Sequence, residues 1–170
     1  MEPTVRFVRL APWLVLLVLL SGCASALQAP ASGSVAVDRP DGTAVMLDAQ
    51  TLAGLARETF TATDHDTSAR FAGIDVVRVL QAAGVEPPQS LRGVALRRVL
   101  LVRAADGYAA ASAFAELDPT IGGKRAYLVD RADEAVLPAG AGPWRIVVPG
   151  EGRPTRWVRQ VTRLAVIDLN

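Results

Sequence analysis

Asp64-His65-Asp66 sets the only histidine of the chain between two carboxylates, a grouping able to hold a divalent cation or to assist a nearby hydroxyl. A lone imidazole in a polar stretch, with no second histidine to join it, is ordinarily a solvated loop residue, so no metal site is expected. Ser68 and Ser112 are the hydroxyls that such a histidine would activate, yet neither sits in a nucleophile-elbow sequence, and no triad is expected. Gly122-Gly123-Lys124 lacks the spacing of a phosphate-cradling loop. Towards the C-terminus Arg145, Arg153, Arg156, Arg159 and Arg163 can form a basic face for a partner. The one remaining reactive group is the thiol of Cys23, the only cysteine, which follows an apolar run and the small pair Ser21-Gly22.

The elements that must position these groups are marked by turn and cap residues. Val35-Ala36-Val37 and Ala44–Leu47 flank Arg39-Pro40-Asp41-Gly42, and an Asp-Gly pair between apolar runs predicts a hairpin. Asp48 can cap a short helix through Leu52 and Leu55. Phe60–Thr63 alternates as a strand does, and Asp64–Ser68 is expected as a loop. Asp75 is the expected cap of a second helix, with Val76, Val77, Val79, Leu80 and Ala83 on its buried side and Gly84 as a left-handed stop. Strands are expected at Val99–Val102, Ala126–Val129, Trp144–Val148 and Leu164–Ile167, a turn at Asp106-Gly107-Tyr108, and a short helical segment around Phe114–Leu117. Strands outnumber helices without regular βαβ alternation, so the fold class expected is α+β, a mixed β-sheet with few short helices.

The N-terminus carries the first resemblance. Arg6 and Arg9 precede an apolar stretch, Leu10–Leu20, too short to span a bilayer, where about 20 apolar residues are needed. Leu20-Ser21-Gly22-Cys23 at its end resembles the lipobox of bacterial lipoprotein precursors. The resemblance implies a signal peptide over residues 1–22, a lipidated Cys23, and a mature chain held to a membrane by its acyl chains. It places the protein in the cell envelope, lipid-anchored on the periplasmic side, and the absence of an acidic residue after Cys23 points to the outer membrane. Residues 23–34 read as a flexible Ala/Ser/Gly/Pro tether, and residues 35–170 as a single domain large enough to bury a core. Of 18 basic and 17 acidic residues, removal of Arg6, Arg9 and Glu2 leaves sixteen of each sign. A neutral domain has no bulk electrostatic attraction to nucleic acid, so no nucleic-acid partner is expected.

A second resemblance rests on an ordered set of short motifs from about Phe60 to Leu169. These are Phe71-Ala72-Gly73-Ile74, Leu80, Ala83-Gly84-Val85, Asp106-Gly107-Tyr108, Gly142-Pro143-Trp144-Arg145 running on to Pro149-Gly150, and Arg156-Trp157-Val158. The set resembles the sulfite-oxidase-type molybdopterin domain, and the chain looks like a minimal member of that superfamily. The resemblance implies that Arg145, Arg156 and Arg159 lie near a pterin phosphate or an anionic substrate, for which a planar, permanently charged fork is suited. It puts Asp106-Gly107-Tyr108 at a strand end facing the cofactor pocket, with Tyr108 and Glu116 the candidates for a pocket role, beside the plain reading of a turn with glycine at a positive φ. The alternative for the arginines is pairing with carboxylates of the domain itself, and Trp144 and Trp157 are expected as packing groups. One departure bears on the chemistry: catalytic members hold molybdenum through a cysteine thiolate, and beyond Cys23 this chain has none. The expectation is therefore a lipid-anchored, non-catalytic ligand-binding or accessory module, without bound cofactor, serving an anionic small ligand or an envelope protein partner. The alternative is a periplasmic molybdopterin-dependent oxidoreductase, or a subunit of one.

Overall fold

The computed structural model describes Met1 and residues 33–169. The signal segment, Cys23 and the tether up to residue 32 lie outside the described residues. Among the described residues, ten strands and two short helices follow one another. Strands β1 (Val35–Asp38) and β2 (Ala44–Leu47) form the expected antiparallel hairpin, with Gly42 taking a φ of 82° that suits glycine. Asp48 accepts a hydrogen bond from Thr51 N at 2.7 Å and so starts helix α1 (Ala49–Ala53).

Strands β3 (Arg57–Asp64) and β4 (Thr67–Asp75) pair along their whole length. The loop expected at Asp64–Ser68 is thereby reduced to a turn of His65 and Asp66, with His65 at a φ of 54°. Asp64, Thr67 and Ser68 belong to the strands, because cross-strand pairing outweighs the turn tendency of small polar residues. Asp75 caps helix α2 (Val76–Ala82) by accepting from Val77 N at 2.8 Å, and Gly84 follows with a φ of 81°. Beyond α2 come β5 (Arg98–Ala104), β6 (Ala109–Ala113), β7 (Tyr127–Ala132), β8 (Ala135–Val136), β9 (Arg145–Val147) and β10 (Val161–Asp168). Single 3-10 turns occupy Gly93–Arg97, Phe114–Leu117 and Pro154–Arg156.

The strands divide into two sheets. The first has the order β2-β1-β10-β5-β6, mixed because β1 and β10 run parallel while every other pairing in it is antiparallel. The second has the order β3-β4-β7-β8, with β9 also paired to β7. Val35, Val37, Leu100, Val102, Leu164 and Val166 of the first sheet join Ile74, Leu128 and Ile146 of the second in one buried cluster. Val76, Val79 and Leu80 of α2 complete it. Complete burial of a side chain such as Leu128 or Leu164 contributes about 2 kcal/mol. The α+β class with few short helices is thus the architecture expected from the chain.

Candidate functional site

Arg145 opens β9 with its side chain turned inward, and the residue is only 9% exposed. Nη2 donates to Asp64 Oδ2 at 2.8 Å, and the guanidinium carbon lies 5.2 Å from the centroid of the Trp157 ring. Its Nε is buried with no hydrogen-bond partner. Asp64 closes β3 and also meets His65 Nδ1 at 2.8 Å. The hydrogen bond from Arg145, joined by that from His65, outweighs burial and holds the Asp64 carboxyl below its ordinary value. This carboxylate of the Asp-His-Asp triplet therefore serves as counter-ion to an arginine 81 residues away in sequence. Among the described residues no three His, Cys, Asp or Glu side chains converge as a metal-ligand group.

Trp157 forms the floor under Arg145. It is 4% exposed, donates its indole N–H to Val148 O at 3.1 Å, and meets the Phe71 ring edge-on with centroids 5.8 Å apart. Trp144, also buried, donates to Gly33 O at 3.1 Å. Both tryptophans pack, as expected, and both satisfy their polar atom.

Arg156 ends the 3-10 turn that follows β9. Its Nε donates to Glu151 Oε1 at 2.7 Å and its Nη1 to Glu116 Oε2 at 3.2 Å. Burial alone would raise the Glu116 carboxyl, but hydrogen bonds from Lys124 and Arg156 prevail and hold it below its ordinary value. The same carboxylates raise the Arg156 guanidinium further above neutral pH, against the effect of its burial. Beside this cluster, Glu116 and Arg156 border a cavity of about 30 Å³ between β5 and β9.

Arg159 stands apart from these pairs on an exposed ridge. On one side is a recess of about 260 Å³ shared with Asp106, Tyr108 and Trp157. On the other is a groove of about 520 Å³ shared with Asp64 and Arg145. Tyr108 is half-exposed and donates its hydroxyl to Thr155 O at 2.6 Å, while its N–H goes to Asp106 Oδ1 at 2.8 Å. The fold therefore gathers Arg145 and Arg159 at the groove and Tyr108 and Arg159 at the recess, and sets Arg156 beside Glu116 at the cavity.

Sequence reasoning passed over a further charged group at the start of β7. Arg125 Nη2 contacts Glu58 Oε1 at 2.8 Å and Asp75 Oδ2 at 2.7 Å. Tyr127 donates to Glu58 at 3.0 Å and stacks on Phe60 with centroids 4.1 Å apart. Burial, followed by the bond to Glu58, pushes the Tyr127 phenol up. Arg125, Tyr127 and Phe60, with Lys124 and Arg153, line an open basin of about 710 Å³. The only signal for it in the chain is the two-residue spacing of Arg125 and Tyr127, which suits one strand face.

No protein-family model matches the sequence, and no curated protein is similar to it at a meaningful level. A solved structure is similar: the sulfane dehydrogenase SoxCD from Paracoccus pantotrophus, at 17% identity and a TM-score of 0.64. The alignment covers 81% of this chain and 38% of the SoxCD chain, so the present protein spans well under half the length of that neighbour. At this identity the likeness is one of fold: the α+β architecture of this chain is that of a domain found in SoxCD.

Proposed function

We propose that the protein is a lipid-anchored component of the cell envelope, held on the periplasmic side through Cys23, whose domain uses the molybdopterin-domain scaffold as a non-redox ligand-binding or accessory module. The observation that carries this reading is the state of the arginines. Asp64 takes one nitrogen of Arg145, and Glu151 and Glu116 close Arg156, so of the three arginines only Arg159 has no carboxylate partner among the described residues, and no cluster of free forks is left for a pterin phosphate. Residues 33–169 also contain no cysteine, so a thiolate-ligated molybdenum does not fit the donors present. A neighbour that is a sulfane dehydrogenase supports the other reading, a periplasmic molybdopterin-dependent oxidoreductase or a subunit of one.

One experiment separates the two. The full chain is expressed in a host that makes molybdopterin, then assayed for molybdenum by elemental analysis and for pterin by fluorescence after denaturation. Protein free of both is expected. Stoichiometric molybdenum with pterin would overturn the non-redox reading in favour of the oxidoreductase. The anchor has its own check: Cys23→Ser is expected to release the protein from the membrane fraction, and a variant that stays acylated and membrane-bound would refute the lipobox.

A further inference from the structure

The groove between Arg145 and Arg159 combines features not found together elsewhere on the described surface. At about 520 Å³ it has the size of a small-molecule site. Its walls are apolar, built from Phe71 of β4 and from Leu137, Pro138 and Ala141 of the segment joining β8 to β9. That segment is fixed, because Gln160 donates its side-chain amide to Ala139 O at 2.9 Å and its backbone N–H to Ala141 O at 3.0 Å. The wall is therefore tied to the residue that follows Arg159.

Three charged side chains line the groove, and they do not cancel. Asp64 and Arg145 neutralise one another, whereas no carboxylate among the described residues pairs with Arg159. Asp106 keeps its charge in the recess across the ridge, where it accepts from the Tyr108 backbone and forms no salt bridge with Arg159. On the groove side Arg159 is left as a positive charge without a salt bridge, beside an apolar bed. Arg145, whose buried Nε–H has no acceptor, lies at the same groove and adds to its positive side.

We propose that this groove binds a small monoanion with an apolar body, a carboxylate or sulfonate carried on a hydrocarbon or aromatic group. Arg159 is its anion contact, and Phe71, Leu137 and Pro138 are its apolar bed. A bare inorganic anion leaves the walls unused, a dianion brings surplus negative charge up to Asp64, and a neutral hydrocarbon leaves Arg159 without a partner. The proposal rests on the reading of the domain as a ligand-binding module and adds the class of ligand.

The test uses the full chain in non-ionic detergent and fluorine NMR of para-(trifluoromethyl)benzoate. The probe resonance is expected to broaden with protein and not with detergent alone. The matching benzyl alcohol, which lacks the charge, and trifluoroacetate, which lacks the body, are each expected to bind about ten-fold more weakly or worse. Arg159→Gln, at an exposed residue, is expected to leave the circular dichroism unchanged and to weaken the benzoate about ten-fold, while Arg153→Gln at the basin is expected to leave it unaltered. No broadening, broadening indifferent to Arg159→Gln, or trifluoroacetate binding as well as the benzoate would each overturn the proposal. Molybdenum and pterin, assayed on the same preparation, report separately on the underlying reading. Loaded protein that still binds the benzoate through Arg159 refutes the non-redox role alone, and metal-free protein that ignores the benzoate refutes the groove alone.

Discussion

Removing the Asp64 carboxylate would leave a nine-tenths buried guanidinium with its counter-ion gone, so the single residue with the most predictable effect is an acid at the end of a strand. Asp64→Ala is expected to lower stability by about 2 kcal/mol in urea unfolding, less than for a fully buried pair because Asp64 keeps some contact with water. The effect should depend on pH with a definite sign. The folded-state carboxyl is held below its unfolded value, so its contribution is complete above the unfolded value of about 4 and is lost as pH falls through the lower folded one. Wild type and Asp64→Ala should therefore differ by a constant amount from pH 7 to about 5 and converge in stronger acid. The sequence offered Arg145 and Asp64 as separate candidates, one by resemblance and the other within a triplet of polar residues. That they are partners was not legible, since the pair depends on β3 and β9 converging from distant parts of the chain. Tyr108 was legible as a turn residue, and its hydroxyl bond to Thr155 depends on the same kind of long-range closure.

At the level of elements, legibility followed local signals. The β1–β2 hairpin and helix α2 announce themselves through Asp41-Gly42 and through Asp75 with Gly84, because caps and left-handed turns depend on a few adjacent residues. Strand β4 does not, since Thr-Ser-Ala-Arg-Phe-Ala-Gly is poor in β-branched residues and is held extended by its neighbours on both sides. Gly73 in that strand shows how close the neighbours are: an added Cβ would lie 2.5 Å from Leu128 O and 2.7 Å from Val129 Cα. Gly73→Ala must push main chain against main chain, and it is expected to lower stability by about 2 kcal/mol in thermal or urea unfolding. Gly152→Ala, where nothing lies within 4 Å, is the control and should be nearly silent. Asp75→Ala removes the cap of α2 together with the contact to Arg125, and should cost about 1 kcal/mol or slightly more.

For the molecule as a whole, one buried cluster spans both sheets, so the described domain should unfold as a unit. Leu164→Ala, in the middle of β10, is expected to cost about 3 kcal/mol, and tryptophan fluorescence and far-UV circular dichroism should report the same midpoint. Two separate transitions would mean that the sheets hold independently. Strand β10 has a further consequence through its place between β1 and β5, where the tenth described strand joins the early β1–β2 hairpin to the later β5–β6 pair at the centre of one sheet. A chain ending at Gln160 exposes the inner edges of both neighbours, and it should bind a hydrophobic dye and lack cooperative unfolding. Until Val161–Asp168 leaves the ribosome, no growing chain can close its first sheet, and contacts between strands so far apart in sequence form slowly. Such wiring acts as a timer: the local hairpins can form early, but the first sheet stays in two halves until the strand that joins them has been made.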